Sequence, residues 1–156
     1  MHYYLLAIIP KEKTANVSEA LDVLMAPHNK NRWDWWVVGG RWCGVLTGYD
    51  PRTNPVNYRD CYVCMGSGNE KGKTSPCCAC GGVGKEFELR EKYQGDVMPA
   101  SMIEWTDERF PYSLLLPDTS WLNKTENKRN PTWQKRVEGL LKHHQDDVAV
   151  VVDYHC

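Results

Sequence analysis

Two unbroken apolar runs lie near the ends of the chain, HYYLLAII at 2–9 and VAVVVDY at 148–154. Each has the length and the β-branched or aromatic content of a buried strand, and Pro10 closes the first. In between, the period changes. Residues 17–25 set Val17, Ala20, Leu21, Leu24 and Met25 on one helical face, with Asn16 or Ser18 as cap and Pro27 as stop. Residues 132–143 set Trp133, Val137, Leu140 and Leu141 on one face of a second helix, opened by Pro131. Shorter β-prone stretches fall at 33–38, 43–49, 86–93 and 111–116. Residues 50–60 read as a turn-rich connection, 97–105 follow no single period, and 124–130 are a polar, basic loop. The order β-α-β-(insert)-β-α-β predicts one α+β domain spanning 1–156. Its small antiparallel or mixed sheet would carry helices on one face, ferredoxin-like, with the terminal runs as central strands and an inserted module at 61–84.

Composition changes this picture in three places. Seven Trp and eight Tyr against two Phe favour half-wet aromatic positions, which is compatible with a binding face. A formal net charge of −1 argues against generic nucleic-acid binding, so any such role needs a local patch. The best patch is 124–136, where five basic residues and one acid surround Trp133; the plain alternative is a solvated loop and an exposed helix face. No stretch approaches the roughly 20 apolar residues of a membrane span. The opening run is too short for a signal segment and lacks a basic flank and a cleavage site, so a cytoplasmic location is expected.

Cysteine spacing carries the strongest chemistry. Cys61-Tyr62-Val63-Cys64-Met65-Gly66-Ser67-Gly68 and Cys77-Cys78-Ala79-Cys80-Gly81-Gly82-Val83-Gly84 are two copies of CxxCxGxG. A CxxC turn lets two sulfurs reach one ion, and two turns complete a tetrahedral zinc site of Cys61, Cys64, Cys77 and Cys80. Cys78 is a spare thiol, or a substitute for Cys77. Four thiolates and one Zn²⁺ would move the net charge from −1 to −3. The doubled motif resembles the zinc-binding region of DnaJ-type chaperones over about 24 residues. That resemblance implies ligand identity at the four positions, while the J-domain pattern is absent. Zinc as a mere staple for a short excursion is the plain reading; a chaperone or thiol-handling role is the other.

A second motif is Trp33-Asp34-Trp35-Trp36-Val37-Val38-Gly39-Gly40-Arg41-Trp42. It resembles a W-D-W-aromatic-x-hydrophobic-G-G-R-W motif of small bacteriophage and actinobacterial proteins. Phe110-Pro111-Tyr112 with Trp121, and Val152-Asp153-Tyr154-His155, fit the same group, which implies a phage or mobile-element origin. Physically, Gly39-Gly40 allows close approach of a ligand or of a neighbouring strand. Arg41 can bind an anion or stack on an indole, and Asp34 can pair with Arg41 or cap a turn. Trp35, Gly39, Gly40, Arg41 and Trp42 therefore form the candidate ligand site. The alternative puts Trp33, Trp35 and Trp42 in the core, with Asp34 and Arg41 as an ion pair.

Asp153 and His155 share one face of the last strand, a pair able to serve acid–base work or a second metal, or else a solvated terminal pair. His143-His144 most simply favours the dipole at a helix end. These readings predict a zinc-stabilised, non-enzymatic binding protein whose partner is a host macromolecule or an anionic, nucleotide-like ligand, with anti-defence action as its biological form. The rivals are a small nuclease or phosphodiesterase using Asp34, Asp153 and His155, and the chaperone-like role.

Overall fold

The computed structural model describes residues 1–124 and 131–156, in two compact units: Met1–Tyr49 with Tyr93–Cys156, and Asp50–Lys92. The second unit is wider than the 61–84 module expected from cysteine spacing. Residues 125–130 of the 124–136 patch lie outside the described residues.

In the larger unit, β1 (His2–Ile9) leads through a 3-10 turn into α1 (Val17–Met25). Asn16 caps that helix, accepting the Glu19 N–H at 3.2 Å, and a turn containing Pro27 follows it. Strand β2 (Trp35–Val38) follows; the smaller unit holds β3 (Tyr58–Asp60) and β4 (Lys85–Phe87). The larger unit continues with β5 (Val97–Pro99), β6 (Ser113–Leu115), β7 (Trp121–Asn123), α2 (Pro131–Lys142) and β8 (Val148–His155). The two long apolar runs are the sheet's paired centre. Strand β8 lies antiparallel to β1 from His2↔His155 to Ile9↔Val148, while β6 runs parallel to β1. The order is β2-β8-β1-β6-β7, with β5 also paired to β8.

Both faces of this mixed sheet are covered, which corrects the expectation of helices on one face. Leu5, Ala7, Ile9, Val150 and Val152 pack with Ala20, Leu21, Leu24 and Met25 of α1. Leu6, Ile8, Ala149 and Val151 pack with Trp133, Val137 and Leu141 of α2. The physical reason lies in the sequence: successive residues of a strand face opposite ways, so an uninterrupted apolar run needs a cover on each side. The order also departs from the ferredoxin-like one. The strand after α1 pairs with β8, and the place beside β6 is taken by β7.

Two local expectations change as well. Residues 43–49 form turns rather than a strand, because Gly44 and Gly48 take φ of +81° and +76°, which breaks the pleat. The strand expected over 86–93 shrinks to Lys85–Phe87. Its continuation is held instead by Asn57, a fully buried amide whose Oδ1 accepts from the N–H groups of Arg90 and Glu91 at 2.9 and 3.0 Å. No helix among the described residues is long and apolar enough to cross a membrane.

Candidate functional site

The smaller unit brings Cys61, Cys64, Cys77 and Cys80 together, with all four sulfurs within 4.8 Å of one another. The repeated motif folds with approximate two-fold symmetry. The Cys61 N–H donates to the Gly84 carbonyl at 2.9 Å, and the Cys77 N–H to the Gly68 carbonyl at 2.8 Å. Corresponding sulfurs pair off, Cys61 with Cys77 at 3.9 Å and Cys64 with Cys80 at 3.8 Å. Zn–S bonds of about 2.3 Å aimed at tetrahedral corners set sulfurs about 3.8 Å apart, whereas a disulfide would draw them to about 2 Å. No disulfide joins any of the seven cysteines. The Gly84 N–H reaches the Cys80 sulfur at 3.2 Å, as expected for a backbone donor serving a thiolate.

The first two thiols differ in ionisation. Burial opposes the Cys64 thiolate, but the Gly68 N–H, the Cys61 and Cys80 thiols and the Gly66 N–H bring its pKa down to about 7. Cys61 moves oppositely: the Cys64 N–H favours its thiolate, yet burial and the Glu86 side chain push it up to about 12. A divalent cation bound by all four sulfurs would make each of them anionic. The donor set therefore fits a metal ion such as zinc. Cys78 is exposed and outside the group, so Cys77 is the fourth donor.

The larger unit disperses the tryptophan–glycine motif. Gly39 and Gly40 have φ of +73° and +56°, and a Cβ on either would collide with a carboxylate, that of Asp96 for Gly39 and of Asp153 for Gly40. Both carboxylates are buried. The glycine pair thus serves an internal close approach. Asp96, which sequence reasoning missed, accepts the Gly44 N–H at 2.7 Å. Trp33 packs against the α1-side core and donates its Nε1–H to the Met25 carbonyl at 2.9 Å, while Trp35 is 48% exposed. Trp42 packs on the α2-side core, stacked on Tyr4.

Arg41 and Trp42 line an open cleft of about 740 Å³ together with Cys43, Tyr49, Asp107 and Arg109. Arg41 is exposed there; its backbone N–H, not its guanidinium, meets Asp153, at 3.0 Å from Oδ2. Asp34 pairs with His155 at 2.8 Å rather than with Arg41. This follows from register, since β2 lies beside β8 with Trp35 opposite His155. The hydrogen bond from His155 holds the Asp34 carboxyl below its ordinary value.

Asp153 is not a solvated terminal group. It is 1% exposed, and its other oxygen, Oδ1, meets Nδ1 of His2 at 3.0 Å. His2 was also missed, because its partner lies at the far end of the chain and is set only by the pairing of β1 with β8. The rings of His2 and His155 stand 5.1 Å apart, and Trp35 lies edge-on to His2 at 5.7 Å. Asp34, His155, His2 and Asp153 thus form two adjoining carboxylate–imidazole pairs. His144 pairs with Asp147 at 2.8 Å, beyond a simple dipole contact. No family model, curated protein or solved structure matches this chain.

Proposed function

We propose that this chain is a non-enzymatic binding protein. A structural zinc ion holds the Cys61, Cys64, Cys77 and Cys80 unit. The cleft at Arg41 takes an anionic, ring-bearing ligand of nucleotide type, free or displayed on a host macromolecule. The observation that carries the ligand reading is the company Arg41 keeps: one open cleft holds it with Arg109, whose guanidinium also donates to the Glu104 carbonyl, with the rings of Trp42 and Tyr49, and with Asp107 and Glu108 also in its lining. Guanidinium groups supply charge-assisted hydrogen bonds to a phosphate or carboxylate, and the rings supply stacking surface. The phage or mobile-element setting, and anti-defence action within it, rest on the tryptophan–glycine resemblance alone.

A hydrolase built on Asp153 is less well supported, because both of its carboxylate oxygens are already engaged by His2 and by the Arg41 N–H. Chaperone-like binding has one observation in its favour: Tyr62, Met65 and Val83 of the cysteine module are 70%, 81% and 73% exposed.

The test is calorimetric titration with a panel of nucleoside mono- and diphosphates. Arg41→Ala should weaken binding by about 1.5–3 kcal/mol, the range for hydrogen bonds to charged groups. Arg41→Lys should recover only part of it, because the planar fork is lost. If Arg41→Ala lowers the melting temperature and leaves affinity intact, Arg41 is structural and the ligand reading fails.

A further inference from the structure

The two carboxylate–imidazole pairs share a geometry that hydrogen bonding alone does not require. An ionised carboxylate can only accept, so the ring nitrogen facing it carries the proton. In His2 and in His155 that nitrogen is Nδ1, facing Asp153 at 3.0 Å and Asp34 at 2.8 Å. Nε2 of each ring is then the atom left to act as a ligand. A carboxylate on the far nitrogen is the usual support of a metal-binding histidine, because it fixes the tautomer and raises ligand basicity. The separation of the ring centres, within the range of any edge-on ring pair, is also compatible with a shared ion. With M–N bonds of about 2.1 Å at a tetrahedral angle, and each ring centre roughly 1.1 Å beyond its nitrogen, two imidazoles on one ion would have centres about 5.2 Å apart. Here they are 5.1 Å apart, with ring planes 67° to one another. Both side chains are reachable from solvent, His2 at 26% and His155 at 40% exposure.

We propose that Nε2 of His2 and Nε2 of His155 form a second, open site for a divalent transition-metal ion of the zinc or nickel class, oriented by Asp153 and Asp34. Imidazole nitrogen suits these ions, and oxygen-seeking magnesium or calcium would not select it. Among the described residues only the four cysteines bring three or more donors together, so this is a two-ligand site. Its remaining positions are left to water or to a donor from a bound partner, which distinguishes it from the closed thiolate site. Asp34 and Asp153 are positioning residues.

The experiment is calorimetric titration of Zn²⁺ into protein already carrying metal at its cysteines, with visible spectroscopy of the Co²⁺ form alongside. The wild type should take one further equivalent, and its Co²⁺ spectrum should gain weak d–d bands without new thiolate charge-transfer absorption. His2→Ala and His155→Ala should each weaken that equivalent at least tenfold, and His143→Ala should leave it unchanged. Asp34→Asn should weaken it by roughly tenfold, the lower bound for loss of such a partner, and shift the d–d bands, with Asp34→Glu restoring both. If a histidine variant melts below the working temperature, His2→Gln and His155→Gln replace it. Absence of a further equivalent, or one that survives loss of either histidine, overturns the proposal. An empty cysteine site would appear separately, as a missing charge-transfer band.

Discussion

The two units of this chain are held by different physics. In Asp50–Lys92 the buried side chains are Asn57, Cys61, Cys64 and Cys77, and none is aliphatic or aromatic. In the larger unit, Leu5 to Ile9 of β1 and Ala149 to Val152 of β8 are wholly buried between two apolar layers. The larger unit folds by removing apolar surface from water, at roughly 25 cal/mol per Å². A 43-residue segment with no apolar core has no comparable driving force and needs a staple. Its sulfurs are spaced to accept one. Alternating strand faces bury enough apolar surface to specify a structure alone, whereas glycine turns and four converging cysteines leave that work to the ion they could hold.

The largest expected effect attacks that contrast directly. Cys64→Ser or Cys80→Ser should abolish hydrogen-exchange protection across 61–84, because in such modules metal-binding free energy is folding free energy. Protection of β1 and β8 should persist. Cys43→Ser, Cys78→Ser and Cys156→Ser should leave metal content at about one equivalent in the Cys₄ site. Metal-free protein with full protection over 61–84 would break the comparison.

The converse substitution belongs in the larger unit. Leu6→Ala or Leu21→Ala removes a fully buried side chain from one or the other layer and should cost about 2–5 kcal/mol in chemical denaturation. Similar losses from both would confirm that each face of the sheet carries weight; a loss from one alone would restore a one-sided sheet. Metal retention in the folded fraction should be unaffected.

Tyr4→Phe sharpens the comparison from within the apolar unit. The Tyr4 hydroxyl is buried without a hydrogen-bond partner, and burial, with the nearby Asp96 charge, pushes its pKa far up. An unsatisfied buried polar group costs about 1–3 kcal/mol, so Phe should stabilise by up to that amount. A melting temperature that falls instead would show that the hydroxyl has a solvent partner.

What the sequence revealed divides along the same line. Periodicity placed β1, α1 and β8 to the residue or nearly so, because long apolar runs and a capped helix are local signals. The cysteine constellation was legible for the same reason: a CxxC pair is local, and its duplication 16 residues on is visible by inspection. What could not be read was anything depending on strand order. That Gly39 and Gly40 lie against Asp96 and Asp153, and that His2 meets Asp153, follow from β8 pairing with β1, β2 and β5. Residues 151 positions apart leave no joint mark on one sequence.

The smallest effect tests that register. The hydrogen bond from His155 is the leading cause that lowers the Asp34 carboxyl pKa from its ordinary 3.8. A group with a depressed folded-state pKa contributes stability above its unfolded value and loses it as pH falls through the folded one. Wild type and Asp34→Asn should therefore differ slightly in melting temperature above about pH 5 and converge as the pH drops below the ordinary carboxylate range. The Asp34 carboxylate is exposed and screened by solvent, so the gap should be near the limit of detection. A carbon-detected titration of the Asp34 carboxyl gives the sharper reading: a midpoint below 3.8 that returns to normal in His155→Ala places β2 beside β8 in solution. A midpoint indifferent to His155 would mean that the edge strand is not held in this register, and the paired histidine site would lose one of its two supports.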